Sequence, residues 1–580
     1  MDTRSQQRRS TALWRVIANR ILAIACILLA INAFALPLNV TSQVRFADAP
    51  VSDTLHALIL FARFRDDDSR GDPNVNFREW PDVPTSQLPA YAGTLLSASP
   101  IPPFPDSTLT AYFYQQSRGR LLVWGDVYPR VLISSQDEAA YHRPIGGYGE
   151  LVLDLLGQID EAGLDFSQYD ANGDGIFDLL YIVLRTDSAR EAGKERYTGI
   201  SCLDARCGGS ISASPEPLPS PVYDGVAIDW ARSGSIIYNR VPGNIIPQLW
   251  ITRTMAHELG HDLWAGFFNH IAPLADNPFP VHTGKQKHAV GYVLMAGAGG
   301  ARDVGGSWTI SAFERLLLGW IDCEPITDAE QVRLRDLYTT SDCRRINFTV
   351  NSRQRALLLS NLQRRAFFDS FRQGGLKERY ELGLLRTTGL LVHLTDGRRL
   401  DVLPSDGDLT LSNDNQAYAG DLYGTDGIAQ LTPWTRPTAS GYLDDVNPGW
   451  FALDRIQTNH SDSSITFDYL PDFRLRPVIR ADSWIDGPVE LGPLSITGQA
   501  TLVIRTKVTI NGPVEIGPGS TLRIDKNGEL IVRDGQAFTM RAGSKLFIDG
   551  GLSISGPTFS EPGSVVVLGA EGARLELRPD

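Results

Sequence analysis

His257, Glu258 and His261, in the run His257-Glu258-Leu259-Gly260-His261, are the residues of this 580-residue chain whose types and spacing point most directly to chemistry. Two histidines four apart on a helix lie one turn apart on one face, so both imidazoles can reach a single zinc ion. The glutamate beside the first projects next to the metal, where its carboxylate can take a proton from bound water. Zinc lowers the pKa of that water to about 7. The hydroxide then attacks a carbonyl carbon, and the glutamate passes the proton to the leaving amine. The expected reaction is hydrolysis of a peptide bond. The bland alternative is a chance match of a short pattern in a chain with nine histidines.

A helix must present these residues, and the sequence predicts one over 247–265. Pro247 suits a first helical turn and Gly266 is placed to end the helix. Leu249, Ala256, Leu259 and Leu263 share a face fit for a core. Gly260 costs about 1 kcal/mol relative to Ala inside a helix, which implies close packing against another element. Before this helix, strand and helix patterns alternate: strand at 57–64, helix at 109–116, strand at 119–127, helix at 151–159 and strand at 176–185. Alternation of this kind predicts an α/β catalytic domain over 56–321. Short apolar runs separated by Gly, Asp and Asn predict a β-rich accessory domain over 322–470. Gly487-Pro-Val-Glu-Leu-Gly-Pro-Leu-Ser495 recurs 25 residues later as Gly512-Pro-Val-Glu-Ile-Gly-Pro-Gly-Ser520, and Gly543-Ser544 and Gly563-Ser564 open similar units. Regular punctuation of β-branched runs by Gly predicts a β-solenoid over 471–580.

Hydrophobic content of 42% and charged content of 21% are those of a folded chain too long for one core. The net charge of −13 argues against a nucleic-acid partner. Residues 1–35 read as a signal peptide, with five arginines before the apolar run Ile21–Ala35, and 36–55 as a linker or short pro-segment. The protein is then expected to be secreted, extracellular or at the cell surface; the alternative is an uncleaved N-terminal membrane anchor. Four cysteines remain after the signal, and proximity favours Cys202 with Cys207 and Cys323 with Cys343. Asp170, Asn172, Asp174 and Asp178 stand as D-x-N-x-D-G-x-x-D around Gly175. Oxygens at alternate positions, with the Ile176 carbonyl, can wrap a calcium ion. A chain of Asx-turns is the other reading. The pattern is not a full EF-hand loop, because its twelfth position is Tyr181.

Taken together these segments resemble the immune inhibitor A-type metallopeptidases, secreted bacterial zinc endopeptidases. The similarity runs from about Ala57 to Leu470. It rests on Asp106–Gly125, the Asp-rich loop Asp165–Asp178, His257–Leu263, Val293-Leu-Met-Ala-Gly297, Phe313–Trp320 and Gly389–His393. The resemblance implies a zincin-like catalytic domain and protein or peptide substrates, with Met295 in a methionine turn beneath the metal. This sequence departs from the family where the zinc motif should continue, because Trp264 and Phe267 cannot be ligands. His270 is then the nearest third ligand, with His282, His288 and Asp276 in reserve. The same departure supports a competing reading, a catalytically degenerate scaffold acting in surface binding or adhesion. A zinc hydrolase acting on a non-peptide substrate is a third. Contact with a cell surface or polysaccharide through the C-terminal repeats also stays open.

Overall fold

The computed structural model describes residues 54–67, 80, 86–141, 148–185, 199–204, 218–239, 247–265, 270–272, 293–295, 310–350, 353–363, 365, 388–405, 422–424, 429–436, 438, 450–569 and 573–577. The predicted signal, the linker up to residue 53, Cys207, Gly266, Phe267, Asp276, His282 and His288 lie outside these residues, while the last two linker residues, Thr54 and Leu55, belong to the first strand.

The chain is mixed α/β. Its first sheet is built on the apolar run beginning at Ala57, which forms strand β1 (Thr54–Arg63), buried at every position from His56 onward. A strand covered on both faces reads as an unbroken apolar run, and that is why no alternation is visible here. β1 pairs in parallel with β2 (Leu122–Val127) on one side and β3 (Leu179–Leu184) on the other. β5 (Gly234–Tyr238) continues the sheet in parallel, and the two-residue β4 (Gly199–Ile200) closes it in antiparallel sense, giving the order β2-β1-β3-β5-β4. Helix α1 (Leu109–Gln116) is capped by Thr108, whose side chain accepts from Ala111 N. Helix α2 (Gly149–Glu161) places Leu151, Val152, Leu155, Leu156 and Ile159 in the same core as Leu58, Leu60 and Ile182.

Helix α3 (Pro247–Leu263) carries the histidine motif and packs against β4 and β5. Its burial is broader than a single stripe. Leu249, Ala256 and Leu259 are buried as expected, but so are Trp250, Ile251 and Met255, whereas Leu263 is only partly covered. Tyr181 Oη from β3 donates to Met255 O at 3.0 Å and fixes the helix to the centre of the sheet.

Between 330 and 470 the chain forms two antiparallel sheets packed on one core. β6 (Glu330–Leu334), β11 (Ala452–Asn459) and β12 (Ser464–Leu470) make one sheet. The other contains β7 (Cys343–Val350), β8 (Arg353–Leu362), β9 (Gly389–Thr395) and β10 (Leu400–Val402). Val332, Leu357, Val392, Leu453 and Phe467 meet in the core they share. The Cys323–Cys343 disulfide is present at this end. Cys202 is disulfide-bonded too.

From Val478 to Leu577 the strands stack in three five-stranded parallel sheets, neighbours within a sheet being three strands apart in the chain. Gly519, Gly543 and Gly563 take positive φ at one corner of successive coils, as the Gly-Ser pattern implies. The 25-residue repeat does not survive as a structural unit. Val489 pairs with Val508 in one sheet, while Val514 pairs with Leu494 and Phe538 in another. The two similar sequences therefore occupy different sides of the stack, because loop lengths between strands vary while the inward apolar positions do not. Among the described residues no helix is long and apolar enough to cross a membrane.

Candidate metal centre

Helical spacing alone puts His257 and His261 together, with ring centroids 5.0 Å apart. The structure adds His270, whose ring lies 5.4 Å from that of His257 and 4.8 Å from that of His261. One nitrogen from each of the three falls within 4.8 Å of the others, so the group could hold a metal ion. Among the described residues no other His, Cys, Asp or Glu group converges in this way. His270 stands just past the helix, on a short run tied at two points. Ile271 N donates to Met295 O at 3.0 Å, and Leu400 N of β10 donates to Ala272 O at 3.1 Å.

The donor set has the chemistry a cation requires. His257 Nδ1 lies 2.8 Å from Leu294 O, and since a carbonyl only accepts, Nδ1 carries the proton and Nε2 presents its lone pair. Burial, together with the neighbouring His261, pushes the His257 pKa down to about 3, and burial lowers that of His270. Neutral imidazoles are the ligating form.

Leu294 and Met295 are held in turn by helix α4 (Ala312–Leu317). Ser311 and Glu314 form a capping box at its start. The Glu314 carboxylate also accepts Met295 N at 2.8 Å and Leu294 N at 3.2 Å. Met295 packs directly on α3: a Cβ at Gly260 would stand 2.2 Å from Met295 Sδ. That contact explains the helical glycine. Trp264 is fully buried and donates Nε1 to Glu314 O at 3.0 Å, so it locks α3 to α4 and has no ligand role.

Glu258 is 5% exposed, with one carboxylate oxygen 3.9 Å from His261 Nε2. It sits against β4, where a Cβ on Gly199 would come within 2.6 Å of Glu258 Oε1. Only glycine leaves the carboxylate room beneath that edge strand. Gly199 escaped the sequence reading, and Leu294 and Glu314 entered it only within segments of the family resemblance, without a role of their own. A two-residue strand and a carbonyl ligand-holder leave no pattern, but Ser311-Ala-Phe-Glu314 is a legible capping box.

The acidic loop is folded around its own amides. Asp170 accepts Asp174 N and Gly175 N, Asn172 accepts Asp174 N, and Asp174 accepts Ile176 N. Asp178 Oδ2 accepts Ala171 N and His56 N, each at 3.0 Å, which pins the loop to β1. His56 itself stacks on Trp124 and bridges Gln168 O and Asp126. This is the geometry of successive Asx-turns. Burial raises the Asp178 pKa, and the charges of Asp170 and Asp174 raise it further.

No family model matches the chain, and no curated protein matches it.

Proposed function

We propose that the protein is a secreted zinc endopeptidase of the immune inhibitor A type, with 56–321 as a zincin-like catalytic domain. The observation that carries this reading is the convergence of His257, His261 and His270 beside the Glu258 carboxylate. Three converging imidazole nitrogens are a donor set that a catalytic zinc site uses. When bound, zinc supplies a Lewis acid that polarises a carbonyl and acidifies water. Glu258 accepts the proton of the attacking water and returns it to the leaving amine. Leu294 O holds the His257 tautomer, and Met295 fills the space beneath the helix.

Substrate binding follows from β4. Among the described residues this strand pairs on one side only, with β5. An extended peptide added to its other edge would lie beside Gly199, the residue that faces Glu258. A peptide backbone is the substrate class that such an edge recognises, which supports a peptidase over other hydrolases. The reading of an inactive scaffold drew on Trp264 and Phe267, and His270 supplies the donor they lack.

Glu258→Gln, which keeps shape but not basicity, is the test. The full chain carrying it should bind zinc normally and lose at least ~100-fold in cleavage of a denatured protein substrate. Wild-type cleavage by that variant refutes the mechanism. Calcium at Asp170–Asp178 belongs to the same proposal and rests on the spacing of those oxygen-bearing residues. Calcium should raise the melting temperature above that in a calcium chelator, and equal values leave the loop as Asx-turns alone. Export rests on the arginine-led apolar segment ending at Ala35, and surface contact on the C-terminal strand stack.

A further inference from the structure

Alternation along β7, β8 and β9 sends Ile346, Leu357, Leu359, Val392 and Leu394 into the sandwich core. It therefore turns Arg345, Leu358, Ser360 and His393 to the opposite face of the sheet. That face is covered as well: Ser360 and His393 are 0% exposed, Leu358 1% and Arg345 8%. Register sets Leu358 opposite both Arg345 and His393 on its two neighbouring strands. Ser360 stands one pleat along β8, the diagonal neighbour of each, within reach of long side chains.

Polar atoms of all three side chains are orphaned there. Arg345 Nε and Nη1, Ser360 Oγ and both ring nitrogens of His393 are buried without a hydrogen-bond partner. A guanidinium is charged at every pH a protein meets, and proteins pair a charge that they bury. Burial holds His393 neutral, its pKa pushed down to about 3, so it offers one ring N–H. Among the described residues these three side chains thus present one full positive charge, one hydroxyl and one imidazole donor. One guanidinium balances one negative charge, and a dianion would leave the second unmatched.

We propose that Arg345, Ser360 and His393 bind a single monatomic halide ion, with chloride as the probe. The site is separate from the metal centre but adjoins its support: Val402 of β10 pairs with His393, and Leu400 N holds the carbonyl of Ala272, two residues from His270. A bound anion braces the strands on which that loop rests.

The test is thermal unfolding of the full chain in chloride against acetate at constant ionic strength. The wild type should show a saturable rise in melting temperature specific to chloride, and Arg345→Met should show none. Identical curves in chloride and acetate for the wild type overturn the proposal. Bromide-soaked crystals of the wild type give a readout that needs no variant. An anomalous peak touching the Arg345 guanidinium and Ser360 Oγ supports the site, and water alone at that position refutes it.

Discussion

Gly260→Ala separates a packed metal site from an ordinary helix. On an unobstructed helix this change is stabilising by about 1 kcal/mol. Here the new Cβ would lie 2.2 Å from Met295 Sδ and 3.1 Å from Trp264 Cζ3. Ordinary contact is close to 3.8 Å, roughly 1.5 Å more than the sulfur is given. A methionine on the surface would swing away, but Met295 and Trp264 are both 0% exposed. Overpacking of this kind costs about 1–3 kcal/mol. The overlap lies toward the upper end, so the net expectation is destabilisation by about 1–2 kcal/mol. The displacement also has a path to the metal, because Met295 O accepts Ile271 N beside His270. Zinc affinity should fall by roughly 10–100-fold, the size of other losses in the support of a ligand. Denaturant midpoints of the metal-free protein and a zinc competition titration read the two effects. In the double change Gly260→Ala with Met295→Ala the costs should be less than additive, since the smaller side chain vacates the space. A Gly260→Ala protein that is more stable than wild type and binds zinc unchanged would falsify the packing argument.

His270→Ala should lower zinc affinity by more than the ~10–100-fold of an outer-shell loss while leaving the fold intact, as measured by metal competition and circular dichroism. Replacing Cys323 and Cys343 together by Ser opens a crosslink spanning 20 positions and should cost about 3 kcal/mol in denaturant unfolding. His393 also makes stability depend on pH. Its folded pKa of about 3 lies below the unfolded 6.5, so both states are neutral above that value and only the unfolded chain gains a proton below it. Stability contributed at neutral pH is therefore lost as pH falls from about 6.5 toward 3, by up to ~1.4 kcal/mol per unit. His393→Gln should flatten that segment of the pH–stability curve, and an unchanged slope contradicts the burial argument.

Much of this was legible because it rests on local rules. Helix α1 has the bounds that Leu109–Gln116 suggests, and α3 begins at Pro247. Gly260 advertised a close neighbour, and Met295 is that neighbour. His270 followed from needing a third donor near the helix end. What could not be read depends on long-range pairing. β4 is two residues long and exists only because β5 offers it an edge. The Leu294 carbonyl that orients His257 is backbone, identical in every residue type. The Gly487 and Gly512 motifs look equivalent, yet coil-to-coil register decides which side of the stack each occupies. His56 lies just before the strand that the sequence predicts at 57–64, and its role in pinning the acidic loop appears only when β1 meets that loop.

The most direct test of the central claim is anomalous diffraction at the zinc edge on crystals of the full chain. The account predicts one zinc per chain with nitrogens of His257, His261 and His270 at about 2.0–2.1 Å. A crystal grown with zinc that shows no peak there, or one whose third protein ligand is not His270, contradicts it.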